Sequence, residues 1–245
     1  MVVLKLFTKF PQYAIPACVL ALMLMCSANL TAHAQVEKYL SKGKAIRVEW
    51  FRPSADAGKP VVLILYGASG GDDGAYYRGC AQQFADAGFA AGVVHYFDAH
   101  NLKWANSAQM SQHFTEWQGT VTDAVNYSQK LFGAKRKVDL FGYSLGAQLA
   151  LSCASRDGRI AAVSSMSGCF VSPPAKGAKM PPVLMLHGTR DTTVSLQKEK
   201  KTEAQLKQLG SPYEVHLYAK QGHCFDSEFA QDALVRTIAF FNQNK

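Results

Sequence analysis

Beyond its first 34 residues the 245-residue chain has no apolar run long enough to cross a bilayer. Charge is sparse too: 18% of residues are charged against 48% hydrophobic, which excludes a disordered chain and fits one domain of the larger sort with a sizeable core. There is no internal repeat and no composition shift that would mark an interdomain linker. The excess of base over acid, +8, is dilute. Lys135-Arg136-Lys137 and Lys198-Glu199-Lys200-Lys201 sit at a predicted strand entrance or beside acids, without interleaved aromatics. They read as solvated faces, and no nucleic-acid partner is expected. No cysteines stand at zinc-ligand spacing, and His95, His100 and His113 lack an i, i+4 pair or a carboxylate array, so no metal centre is expected.

The first 34 residues are of a different kind. Lys5 and Lys9 precede an apolar run, Ala14 to Met25, and Ala32-His33-Ala34 places small residues where a signal peptidase reads them. The run is short for a span of about 20 residues, so a cleaved leader, residues 1–34, is expected rather than an anchor. The mature chain, 35–245, would then be exported, periplasmic or secreted, with no membrane span. It would keep Cys80, Cys153, Cys169 and Cys224. In an oxidising compartment these can form disulfides, and as buried side chains they can equally remain thiols.

Short apolar runs alternate with longer amphipathic ones. Residues 45–52 alternate like a half-exposed strand, whereas 61–66 (VVLILY), 89–96, 138–143, 160–167, 183–187 and 213–219 read as strands covered on both faces. Helical patterns lie near 75–87, 109–132, 145–155, 195–209 and 227–243. This alternation predicts an α/β class with a mostly parallel sheet flanked by helices on both faces. The irregular stretch 169–180 is too short for a cap domain, so no large lid is expected.

One boundary is sharper than the rest. In KVDLFGYSLGAQLALSC a strand ends at Tyr143, Gly142 and Gly146 flank Ser144, and a helix opens at Leu145. That is G-x-S-x-G in the strand–turn–helix setting of a nucleophile elbow, where tight packing requires glycine on both sides and strain exposes the serine Oγ. A serine hydroxyl needs a base to take its proton, and the base needs an acid to hold its tautomer. Asp191 follows the strand 183–187 in HGTRDTTV, and His223 follows the last strand in QGHCF. The chain order Ser, Asp, His is the one this setting requires, and it places Asp226, after the histidine, behind Asp191 as the acid.

On GYSLG, HGTRDTTV and QGHCF the chain resembles an α/β-hydrolase, and most of all the small, lid-poor dienelactone hydrolase family, over essentially the whole mature chain. Dienelactone hydrolases proper resemble it but carry a cysteine nucleophile where Ser144 stands here. The family's substrate-binding arginines have no assigned counterpart in this sequence, Arg78 included. The N–H of Leu145, just after the nucleophile, is one expected oxyanion donor. The loop after 61–66, Tyr66-Gly67-Ala68-Ser69-Gly70-Gly71, resembles the HG-x-x-G loop of related esterases with Tyr66 replacing the histidine, which implies Ala68 as the second donor. No Lys-Ser/Thr follows these glycines, so they are not a phosphate cradle. The segment Phe97 to Phe114, with Asp98, His100 and Trp104, and Trp117 just beyond, leaves a strand's carboxyl end and is placed to wall a pocket, but aromatics so placed are more often core, so the expectation is only that the pocket is partly aromatic.

The expected chemistry is hydrolysis of a small carboxylic ester or lactone by Ser144, His223 and Asp191 through an acyl-enzyme, without a cofactor. A peptidase or acyltransferase with the same triad, a catalytically dead binding protein, and Cys224 as an alternative nucleophile are the competing readings.

Overall fold

The structure, a computed structural model, describes residues 34–71 and 74–244. The expected leader lies outside them except for Ala34. Eight strands form one sheet: β1 (Gln35–Ser41), β2 (Lys44–Phe51), β3 (Val61–Leu65), β4 (Ala91–Val94), β5 (Val138–Tyr143), β6 (Ile160–Met166), β7 (Val183–Gly188) and β8 (Tyr213–Tyr218). Their order is β1-β2-β4-β3-β5-β6-β7-β8. The β1–β2 and β2–β4 pairs are antiparallel, and every pair from β4 through β8 is parallel. Helices α1 (Ala75–Asp86), α2 (Ser107–Phe132), α3 (Leu145–Ala154), α4 (Leu196–Gln208) and α5 (Ser227–Gln243) join them, with a 3₁₀ turn at Tyr96–His100.

The strands form where β-branched and aliphatic residues run without interruption. Every residue of β3, Val-Val-Leu-Ile-Leu, is buried, as a strand between two helical layers must be. Successive side chains on β5 show the two layers. Phe141 packs on Phe84 of α1, which stacks on Phe241 of α5. The neighbouring Gly142 instead faces α3, where an added Cβ would collide with the Gly146 and Ala147 backbone. Helices α1 and α5 therefore cover one face, and α3 the other.

The β1–β2 hairpin was not foreseen beyond its second strand. β1 is mostly exposed and polar (QVEKYLS), so no buried periodicity marks it. Its turn, Lys42-Gly43, has positive φ at both residues (46° and 78°), the primed-turn conformation usually signalled by Asn-Gly. Among the described residues no helix is long and apolar enough to cross a membrane.

Candidate active site

β5 delivers Ser144 to the carboxyl edge of the sheet. Its φ of 54° and ψ of −117° lie outside the regions an L-residue ordinarily adopts. Tight packing holds it there: a Cβ on Gly146 would strike the carbonyls of Leu65 and Tyr66, and the Ser144 N–H is tied to the Met166 carbonyl at 2.9 Å. The serine is thus pinned between β3, β6 and the first turn of α3.

Asp191 and His223 arrive from the loops after β7 and β8. The Thr193 and Val194 N–H groups donate to Asp191 Oδ1, both at 2.8 Å. Its other oxygen, Oδ2, lies 2.8 Å from His223 Nδ1, and His223 Nε2 lies 2.9 Å from Ser144 Oγ. With Nδ1–H donating to the carboxylate, Nε2 is free to accept from the hydroxyl, which is the tautomer needed to take its proton. The three sequence-predicted side chains therefore meet in one hydrogen-bonded line. Asp226 does not join it, since its carboxylate accepts from Gln221 instead.

Ala68 and Leu145 line the same cavity as Ser144 and His223, about 490 Å³ in volume, with Ser69, Met110, Gln148 and Lys198 also at its walls. As the first residue of α3, Leu145 has an N–H with no intrahelical acceptor. The loop carrying Ala68 is fixed at several points. Gly67 N–H donates to the Tyr77 hydroxyl at 3.0 Å, Ala105 N–H donates to the Ala68 carbonyl at 2.8 Å, and the Tyr96 hydroxyl donates to the Tyr66 carbonyl at 2.7 Å. Tyr66 in turn accepts from the Phe97 N–H through its own hydroxyl, so its ring builds the loop from beneath.

Of the segment placed to wall a pocket, Phe97 and Trp117 are core, packed on each other with ring centroids 4.8 Å apart, and Trp104 is exposed. Asp98 is held by the Arg47 guanidinium and backbone. Within that segment it is Ser107 and Met110, on α2, that reach the cavity, where Tyr143, Leu145 and Val194 supply further apolar surface. An apolar cavity of about 300 Å³ lies on the other side of Tyr143 and Cys224, lined by Tyr76, Met166, Phe225 and Ala230. Cys224 Sγ accepts from the Tyr143 hydroxyl at 3.2 Å, and the base nitrogen of His223 faces Ser144.

The sequence did not reveal what stands behind the acid. His187 is fully buried: its Nε2 donates to the Val194 carbonyl at 2.8 Å and lies 3.5 Å from Asp191 Oδ2, while its Nδ1 lies 3.3 Å from Glu199 Oε2. Burial pushes the Glu199 carboxyl up, toward its neutral form, and burial of the imidazole is outweighed by Glu199 and the Val194 carbonyl, which raise His187. Glu199 lies on α4, and only its spacing from a strand-end histidine in the folded chain could have suggested the pair.

Among the described residues the four cysteines are free thiols: Cys80, Cys153 and Cys169 are buried and Cys224 is exposed. Burial pushes the Cys80 and Cys153 thiols up to about 12, so they are inert. The histidines passed over at the sequence level divide. His95 is buried with Nε2 2.7 Å from Glu49, whereas His100 and His113 come together with Glu116, which stands three residues beyond His113 on α2. That i, i+3 pair was the available signal.

A strained serine after the fifth strand of a mostly parallel sheet, with an acid and a histidine on later strand-end loops, defines an α/β-hydrolase fold and the edge at which its candidate site lies. The chain belongs to the dienelactone hydrolase family, whose profile matches residues 46–244, and is therefore a hydrolase. No curated protein matches its sequence. It is similar in structure to P91, a dienelactone hydrolase-like promiscuous phosphotriesterase from metagenomic libraries (18% identity, TM-score 0.73, covering 86% of this chain and 98% of that one). It is also similar to Est1E from Butyrivibrio proteoclasticus (15%, TM-score 0.66, 85% and 98%) and to a dienelactone hydrolase from Anabaena variabilis ATCC 29413 (17%, TM-score 0.66, 86% and 99%). At these identities the likeness is one of fold.

Proposed function

We propose that the protein is an exported serine hydrolase that cleaves small carboxylic esters or lactones. Ser144 Oγ attacks the acyl carbonyl while His223 Nε2 takes its proton. Asp191 holds the imidazole in that tautomer and stabilises the imidazolium that forms. The N–H groups of Leu145 and Ala68 receive the developing oxyanion, the α3 N-terminus adding its positive dipole end. His223 then returns the proton to the leaving alcohol, or to the ring-opened alkoxide of a lactone, and water repeats the sequence on the acyl-enzyme.

One observation carries this reading: His223 bridges Asp191 and Ser144 at 2.8 and 2.9 Å through its two different nitrogens. The cavity's lysine, Lys198, is exposed, and the apolar surface of Met110 suits a compact acyl or alcohol group. Export rests on the Lys5–Lys9, Ala14–Met25 and Ala32-His33-Ala34 pattern. A fluorophosphonate probe tests the site: it labels the wild-type protein and leaves Ser144→Ala unmodified, and absence of labelling on correctly folded wild type overturns the reading. A panel of ester chain lengths and lactones then identifies the acyl group.

A further inference from the structure

We infer that His100, His113 and Glu116 form a binding site for one divalent transition-metal ion of the zinc type, separate from the serine-centred cleft. Each offers a ligand atom, and the three atoms lie within 4.8 Å of one another. His113 and Glu116 project from adjacent positions on α2, and His100 closes the triangle from the end of the 3₁₀ turn.

The contacts fit a site with unmet demand. His100 Nε2 is 2.6 Å from Glu116 Oε2, while His100 Nδ1 is buried with no hydrogen-bond partner. The His100 and His113 rings are stacked, centroids 3.7 Å apart and planes 28° from parallel. Neutral imidazoles are the form that binds metal. Two nitrogens and one carboxylate oxygen suit Zn²⁺, Ni²⁺ or Cu²⁺, and do not suit Mg²⁺ or Ca²⁺, which take oxygen. The groups facing the cluster set a limit. Lys42 and Lys44 act electrostatically on Glu116, and Lys44 reaches His100 as well and donates to the Ala99 carbonyl, so the ion meets two nearby cations that weaken its binding.

The position gives such an ion a structural consequence. It would tie the 3₁₀ turn to α2 across residues 101–106, and that loop buttresses the proposed oxyanion strand-end: Ala105 N–H bonds the Ala68 carbonyl, and Gly70 packs on the Lys103 carbonyl. Occupancy would raise thermal stability by mass action. Trp117, with its ring centroid 5.9 Å from that of His100 and 5.6 Å from that of His113, is a local reporter.

The test is calorimetric titration of ZnCl₂ into the purified full chain without a polyhistidine tag, with Trp fluorescence quenching by NiCl₂ in parallel. The expected result is one ion per chain, no response to MgCl₂, and affinity at least tenfold weaker in His113→Ala and in Glu116→Gln. Cys224→Ser, which removes the exposed thiol beside His223, should bind like wild type. Glu116→Gln is an exposed, nearly isosteric change and carries the test alone if His113→Ala misfolds. Absence of binding to wild type, undiminished binding to Glu116→Gln, or loss of binding in Cys224→Ser overturns the site.

Discussion

Two aspartates are buried on this sheet, and they could hardly be treated more differently. Asp191, beyond the carboxyl end of β7, has its carboxylate occupied by two backbone N–H groups and the His223 ring. Asp139, near the start of β5, is fully buried, and no donor meets its carboxyl in good hydrogen-bond geometry, the Ala162 backbone making only a weak approach. Burial pushes its pKa well above the ordinary carboxylate range, toward the neutral form, the Ala162 backbone opposing. The reason lies in the architecture. At the carboxyl edge, chain-end loops turn their N–H groups toward the site, whereas inside a central parallel strand the neighbouring backbone is consumed by the ladder and the side chains are apolar. Burial of a titratable group is thus a poor mark of function here, and convergence of partners on it is a good one.

The contrast breaks first at the serine end. Ser144→Ala should lower kcat for a p-nitrophenyl ester by roughly 10⁶-fold with the melting temperature nearly unchanged. Asp191→Asn should cost roughly 10⁴-fold, because the amide leaves His223 in the wrong tautomer. Asp139→Asn should leave kcat/KM within about twofold. Steady-state kinetics on the three variants decide the matter, and an Asp191→Asn enzyme slowed less than tenfold would put the two aspartates on the same footing.

A smaller effect separates the strained turn from the rest of the sheet. Gly146→Ala places a methyl against the Leu65 and Tyr66 carbonyls, which are backbone and cannot swing away. A loss of about 3 kcal/mol is expected in urea denaturation, accompanied by loss of activity as Ser144 shifts. Gly119, on α2, has open space at its Cβ position, and Gly119→Ala should stabilise the helix by a few tenths to about 1 kcal/mol.

What could be read in advance follows the same division. β3 to β7 have the apolar runs that burial on two faces imposes, and β2 was legible from its alternation, whereas β8, expected to be covered on both faces, has only Tyr218 fully buried; GYSLG could be read because packing leaves glycine as the only residue at 142 and 146. Asp191 and His223 were legible from chain order, and the structure places them within hydrogen-bond reach of one another. β1 was not, since an exposed edge strand carries no buried period and its Lys-Gly turn is an uncommon primed turn. Nor were the His187–Glu199 and His100–His113–Glu116 groupings, whose members are drawn together from separate elements by tertiary packing alone. Phe97 and Trp117 are core, the commoner fate of aromatics after a strand end, while Met110 of the same segment reaches the cleft.

The subtlest expectation concerns Asp139 and pH. With its pKa raised in the fold, the native state holds a proton that the unfolded chain releases above about pH 3.9. The native state then binds more protons than the unfolded state, so this group's contribution to stability is complete below that pH. It is lost as pH rises toward the folded pKa, at a slope of up to about 1.4 kcal/mol per pH unit. Asn cannot titrate, and it keeps the shape and much of the polarity of the protonated acid. The difference in unfolding free energy, wild type minus Asp139→Asn, should therefore fall as pH rises above about 4, by up to about 1.4 kcal/mol per pH unit, and level off once pH passes the folded pKa. Taking the difference cancels the Glu199 carboxyl, which titrates in the same direction in both proteins. A flat difference curve from urea denaturation across that range would mean that Asp139 finds a donor, and the distinction between the two ends of the sheet would lose its energetic basis.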